Sequence, residues 1–210
     1  MSKRLVFPVV LVLGLVGAAL AAQQPQATAL KTVSRALGAE GLKTLRYTGS
    51  GSSYVPTDAA DPAADWTHTV MSSYVHELNF DAITSHVRIV RGAGTTVNSI
   101  ADTDSPWSLY EFWLTPHGFV KGAEIYNATI ENRTVSFTPP GGHKVVGYFN
   151  EQNLVEKVET WVGEKGNRLI EAGYRDYADF NGVQVPTMIT QKHDGELSLI
   201  VIVKEVQVGK

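Results

Sequence analysis

The sequence predicts a mainly β (α+β) fold, one large curved antiparallel sheet or half-open barrel with a single N-terminal helix. Three observations lead there. Apolar residues recur with a period of two along most of the chain after Lys43. The last third carries Asn181-Gly182 and Asp194-Gly195, dipeptides that favour tight antiparallel hairpins. A segment with helical spacing, a capping residue and a stop stands near the start, from Thr28 to Gly38.

Before that helix, Ser2-Lys3-Arg4, an apolar run from Leu5 to Leu15 and the small-residue stretch "GAALAA" ending at Ala22 form the three-part layout of a secretory signal peptide. Cleavage is expected after Ala21, leaving Ala19 and Ala21 at the small-residue positions, with Ala22 as the alternative. The apolar run is broken by Pro8 and Gly14 and falls short of the about 20 residues of a membrane span. The reading is an exported protein, periplasmic or extracellular, with no stable span after processing and no cysteine for a lipid anchor.

The chain has 18 Lys and Arg against 21 Asp and Glu, and loss of Lys3 and Arg4 leaves 16 against 21, a formal −5. That balance excludes the basic face of a nucleic-acid binder. With no cysteine at all, disulfides and thiolate zinc sites are excluded, so stability has to come from a packed core. The length left after processing suits one domain, 29–210, behind a polar linker at 22–28.

In the predicted helix Thr28 is the cap, Leu30, Val33 and Leu37 recur at i, i+3 and i+7, and Gly38 is the stop. Strands follow. "LRYTGSG" puts Leu45 and Tyr47 on one face, and "SYVHELNF" puts Tyr74, His76, Leu78 and Phe80 on one face with Val75 and Glu77 on the other. "HVRIV" and "SLYEFWL" continue the alternation, separated from their neighbours by loops at Pro56–Asp65 and Asp102–Pro106. "SLYEFWL" is then expected to enter a turn at Thr115-Pro116-His117-Gly118, with His117 at its tip, and to leave it as a strand through Phe119.

"NLVEKVETWV" fits either a strand or one face of a helix. Four of its ten residues are β-branched, and only Asn150 to Asn153 separate it from "KVVGYF", so it is assigned as a strand in a hairpin. "RLIEAGYRDY", "VQVPTMITQ" and "LSLIVIVKEVQV" complete a meander of nine to eleven strands, and a sheet that wide curls.

Catalytic signatures are missing. His76-Glu77 begins like H-E-x-x-H, but Phe80 stands where the second His is needed and the segment is a strand, whose polar side is read as facing water. "GSGSS" from Gly49 lacks the order of a nucleophile elbow or dinucleotide loop and reads as a strand end. Asp102-Thr103-Asp104 lacks the Gly and Glu of a calcium loop. Glu156 with Glu159, and Asp176 with Asp179, stand three apart, which on a strand places them on opposite faces. Asn127 and Asn132 begin glycosylation sequons. No cofactor, metal site or catalytic residue is expected.

Aromatic residues carry more information. Trp66, Trp107, Tyr110, Phe112, Trp113, Phe119, Tyr126, Trp161 and Tyr174 are spread over the predicted strands, and those that point into an open concavity form an apolar pocket. The candidate ligand-binding residues are Tyr74, Tyr110, Trp113, His117, Phe119, Trp161 and Tyr174.

The plan of signal peptide, helix and strand-rich body, ending in "YRDYADFNGVQVPTMITQ" and "GELSLIVIVKEVQV", resembles the periplasmic outer-membrane lipoprotein carrier superfamily. That resemblance implies a half-open antiparallel barrel, partly closed by helices, holding acyl chains in its concavity. "WLTPHGFVKGA", "VVGYFNEQNLVEKVETWV" and "YRDYADFNGVQVPTMITQK" also resemble the N-terminal non-catalytic region preceding the hydrolase domain of some secreted bacterial metallo-β-lactamase-fold proteins. Their H-x-H-x-D-H zinc motif is absent here. The expected function is an exported, non-catalytic module that binds a lipid or other apolar molecule. The alternative is an accessory or interaction module of a separate metallo-β-lactamase-fold hydrolase.

Overall fold

The computed structural model describes residues 28–57, 65–92, 94–104, 108–163 and 166–210. Residues 1–27, with the segment read as a signal peptide, Trp107 and parts of the Pro56–Asp65 and Asp102–Pro106 loops lie outside them. Helix α1 covers residues 28–37, so Thr28 is already helical. Val33 and Leu37 are buried, Leu30 packs beside them, and the helix ends where the Gly38 N–H donates to the Arg35 carbonyl at 3.0 Å.

Period-two patterning becomes eleven strands among the described residues. The first meander is β1 (Thr44–Pro56), β2 (Trp66–Asn79), β3 (Thr84–Arg91) and β4 (Thr95–Ala101). Helices α2 (Tyr110–Trp113) and α3 (Pro116–Ile125) follow. The second meander is β5 (Thr129–Glu131), β6 (Thr134–Phe137), β7 (Val145–Phe149), β8 (Val155–Val162), β9 (Arg168–Phe180), β10 (Val183–His193) and β11 (Glu196–Gly209). All pairs are antiparallel, and the order across the sheet is β4-β3-β2-β1-β11-β10-β9-β8-β7-β6-β5.

The chain therefore starts at the centre of the sheet, walks to one edge, crosses to the other through α2 and α3, and walks back until β11 pairs with β1. Helix α2 packs on β3 and β4, whereas α3 packs on β6 and β8. One short helical pair can reach both wings only if the sheet curls around it. The edges β4 and β5 do not pair with each other, so the curl stays open. Asn181 and Asp194 take φ of 55° and 51°, the left-handed conformation that these hairpin dipeptides favour. "NLVEKVETWV" forms β8, paired with β7 and β9.

Two expectations are corrected. The segment from Tyr110 to Ile125 is not strand, turn and strand but two helices. Thr115 is the N-cap of α3, its Oγ1 accepting the Gly118 N–H at 3.0 Å and donating to the Phe112 carbonyl at 2.8 Å, and Pro116 is the first helical residue. A proline there sacrifices no helical hydrogen bond. "GSGSS" is not a strand end but the interior of β1, flanked on both sides by β2 and β11 through register shifts at Thr48/Gly49 and Gly49/Gly51. The face read for His76 holds: it is buried on the core side of β2 with Tyr74 and Leu78, while Glu77 is exposed on the other.

Candidate functional site

The middle of the concavity is filled by the protein itself. Phe112, Trp113, Phe119 and Val120 descend from α2 and α3 and are fully or nearly fully buried. Ring centroids of Trp113 and Phe137 lie 5.8 Å apart, those of Phe119 and Phe149 5.9 Å, and those of Phe80 and Phe112 5.6 Å. Two openings remain beside α2, and Tyr110 borders both.

The first is a cavity of about 520 Å³ between α2 and the ends of β7 and β8, lined by Tyr110, Trp113, Pro139, Val145, Val162 and Trp161 among others. Trp161 pairs with Leu169, on the sheet face opposite the buried Thr160, so it meets the cavity at the rim. The Trp113 Nε1–H is buried and has no hydrogen-bond partner. Its size and apolar, aromatic wall match a small-ligand pocket, which runs from about 300 to 1,000 Å³.

The second cavity, of about 310 Å³, crosses the inner face of β4, β3, β2, β11, β10 and β9 and is more polar. Arg91 continues the inward row of Val87 and Ile89, and Arg168 that of Ile170 and Ala172. The Arg91 Nε and the Ser198 Oγ in this wall are buried without partners. Glu111 accepts a hydrogen bond from Ser99 Oγ at 2.8 Å; burial pushes its carboxyl above the usual range, and that bond opposes the rise. Burial also pushes the Tyr110 phenol up to about 12, with Glu111 adding to the effect and Arg168 opposing it. His193 is pushed down by burial and then by Arg168, with Asp194 opposing.

His76 forms the floor of the same cavity and is saturated: Nδ1 meets the Tyr47 hydroxyl at 2.6 Å and Nε2 the Ser85 hydroxyl at 2.7 Å. Burial, then the nearby His86, push its pKa down to about 3, so it stays neutral and has no free nitrogen to act as a base. Among the described residues no three His, Asp or Glu side chains converge as a metal site.

Of the residues singled out from sequence, Tyr110, Trp113 and Trp161 meet at the first cavity, and Tyr74 lies in the second. Phe119 is sealed in the core between Phe137 and Phe149. Tyr174 is buried near Tyr74, outside both cavities. His117 is not at an exposed tip: it is 2% exposed in the first turn of α3, bonded to the Leu37 backbone, and lines a separate opening of about 640 Å³ beneath α1. That opening is larger than the two beside α2, but Lys31, Lys43, Glu40, Asp81, Lys121 and Glu124 ring it, so it has the character of a charged surface cleft. Arg91, Arg168, Glu111 and Ser198 were missed, although the alternation through Val87 and Ile89 already turns Arg91 inward.

No protein-family model matches the chain, and no curated protein matches it. Solved structures do. A LolA superfamily protein from Nitrosomonas europaea superposes with a TM-score of 0.51 at 13% identity, covering 88% of this chain and 93% of that one. A DUF1329 family protein from Desulfovibrio piger covers the same shares with a TM-score of 0.45 at 8% identity. The first match shows the fold: the open antiparallel sheet is LolA-like, the plan that the sequence resembles. The metallo-β-lactamase association rests on the quoted sequence segments alone.

Proposed function

We propose that the protein is an exported, non-catalytic binding module that holds an apolar or lipid-like molecule beside α2. The observation that carries this reading is the 520 Å³ cavity in which Tyr110, Trp113, Val145 and Val162 converge on the concave side of a LolA-like sheet. Such a cavity favours an apolar chain by removing its surface from water, at about 25 cal/mol per Å². Tyr110 and Trp113 are the principal contacts, with Trp161 at the rim and Tyr74 across the helix. At the floor of the neighbouring cavity both nitrogens of His76 are engaged, which supports binding rather than turnover there.

Export follows from the N-terminal layout and is tested by cell fractionation. The binding reading is tested by native mass spectrometry of protein purified from the exporting cell, followed by titration with dodecanol. A co-purifying lipid or saturable dodecanol binding is the expected result; a ligand-free protein that binds no dodecanol refutes it.

A further inference from the structure

Five buried side-chain polar atoms among the described residues lack partners, and three of them lie in the walls of the two cavities flanking α2: Trp113 Nε1, Arg91 Nε and Ser198 Oγ. An unpaired buried donor costs about 1–3 kcal/mol in a finished structure, so such atoms gather where something else completes them. The first two are donors only and the third can donate. Arg91 Nε and Ser198 Oγ share the 310 Å³ cavity, and their common complement is a group rich in acceptor oxygens.

Arg91 carries the point furthest. It forms no ion pair among the described residues, and its inward direction is fixed by the β3 register, Ile89 opposite Val97 and Arg91 opposite Thr95. Arg168 enters the same cavity from β9, held at the rim by Asp194 at 3.6 Å. Glu111, the carboxyl facing this space, already accepts from Ser99, and burial favours its neutral form. Tyr54, Tyr74, Tyr110, His76 and His193 complete the titratable lining, and none of them is a carboxylate.

We propose that the 310 Å³ cavity is a head-group subsite for an anionic, oxygen-bearing terminus, a carboxylate in the simplest case, of an amphiphile whose chain passes Tyr110 into the 520 Å³ cavity. This rests on the apolar-ligand reading and adds the ligand class. The cation is in place to receive the head, and the apolar wall to receive the tail.

The test compares dodecanoate with dodecanol, which share a chain and differ in the head, by isothermal titration of the full mature protein at pH 8. Dodecanoate is expected to bind roughly tenfold or more tightly than dodecanol, the size of one hydrogen-bonded charge. Arg91→Gln is expected to remove that preference by weakening dodecanoate binding far more than dodecanol binding, and Ser198→Ala to reduce it by a smaller factor. Equal binding of both probes to the wild type overturns the subsite and leaves the apolar reading intact. Binding of neither overturns both, and a folded Arg91→Gln protein that keeps the full preference overturns the assignment to Arg91.

Discussion

The ring of Phe119, on α3, fills the space beside Gly147, on β7, so closely that a Cβ at position 147 would overlap three of its ring carbons. The absent side chain lets α3 sink onto the sheet.

Gly147→Ala should therefore overpack the core, at a cost of about 1–3 kcal/mol in unfolding free energy. Chemical denaturation measures it. Adding Phe119→Leu should return part of the loss, and a double-mutant cycle without positive coupling between the two sites would contradict the contact.

The cap of α3 is the next dependency. Thr115→Ala removes the acceptor for the Gly118 N–H and the donor to the Phe112 carbonyl, and should cost about 1–2 kcal/mol, whereas Thr115→Ser should cost a few tenths. Urea midpoints distinguish them; equal midpoints for the two variants would mean that the cap does not hold the helix.

Two buried histidines make stability depend on pH. Burial, with His86 adding to it, pushes His76 down to about 3, and burial, outweighing the bond to Leu37, pushes His117 down to about 4. In the unfolded chain both titrate near 6.5. As pH falls below that value the unfolded state takes up protons first, so stability present above about 6.5 is lost progressively down to about 4 for His117 and about 3 for His76. The slope is up to roughly 1.4 kcal/mol per pH unit for each histidine. His117→Gln should make the fall between pH 6.5 and 5 shallower; an unchanged slope would show that His117 takes up its proton as readily in the native state as in the unfolded chain.

The cavity beside α2 can be filled. Val162→Trp, which places an indole in the 520 Å³ space, should weaken dodecanol binding by about tenfold, while Trp161→Ala at the rim should change it much less. Titration of both variants decides the matter, and the reverse ranking would move the ligand to the outer face of β8.

Much of this fold was legible before any coordinates. Strict alternation marks a face, so Leu45, Tyr47 and Tyr74 could be placed on the inner surface, and Asn181-Gly182 and Asp194-Gly195 fixed two hairpins because few residues tolerate their backbone conformation. The segment around Trp113 failed for a local reason. Thr115-Pro116 followed by Gly118 satisfies the rules of a turn and those of a helix start alike, and "SLYEFWL" alternates well enough to pass for a strand. The helical spacing of Phe119, Val120 and Ala123, all buried, was the overlooked signal.

What the sequence determined by itself was the class of the fold, the hairpins at Asn181-Gly182 and Asp194-Gly195, the absence of thiolate chemistry and the supply of aromatics. The tertiary structure alone decided which aromatics meet. Trp113 and Tyr110 share a cavity while Phe119 is sealed in the core, because α2 and α3 cross from one edge of the curled sheet to the other and present different faces to it. It also decided that Arg91 and Arg168, on strands far apart in the chain, face one space: only closure of the two meanders through β1 and β11 carries β3 and β9 around the same concavity. Pattern along a chain specifies faces, and the curvature that turns two faces toward each other arises from packing across the whole sheet.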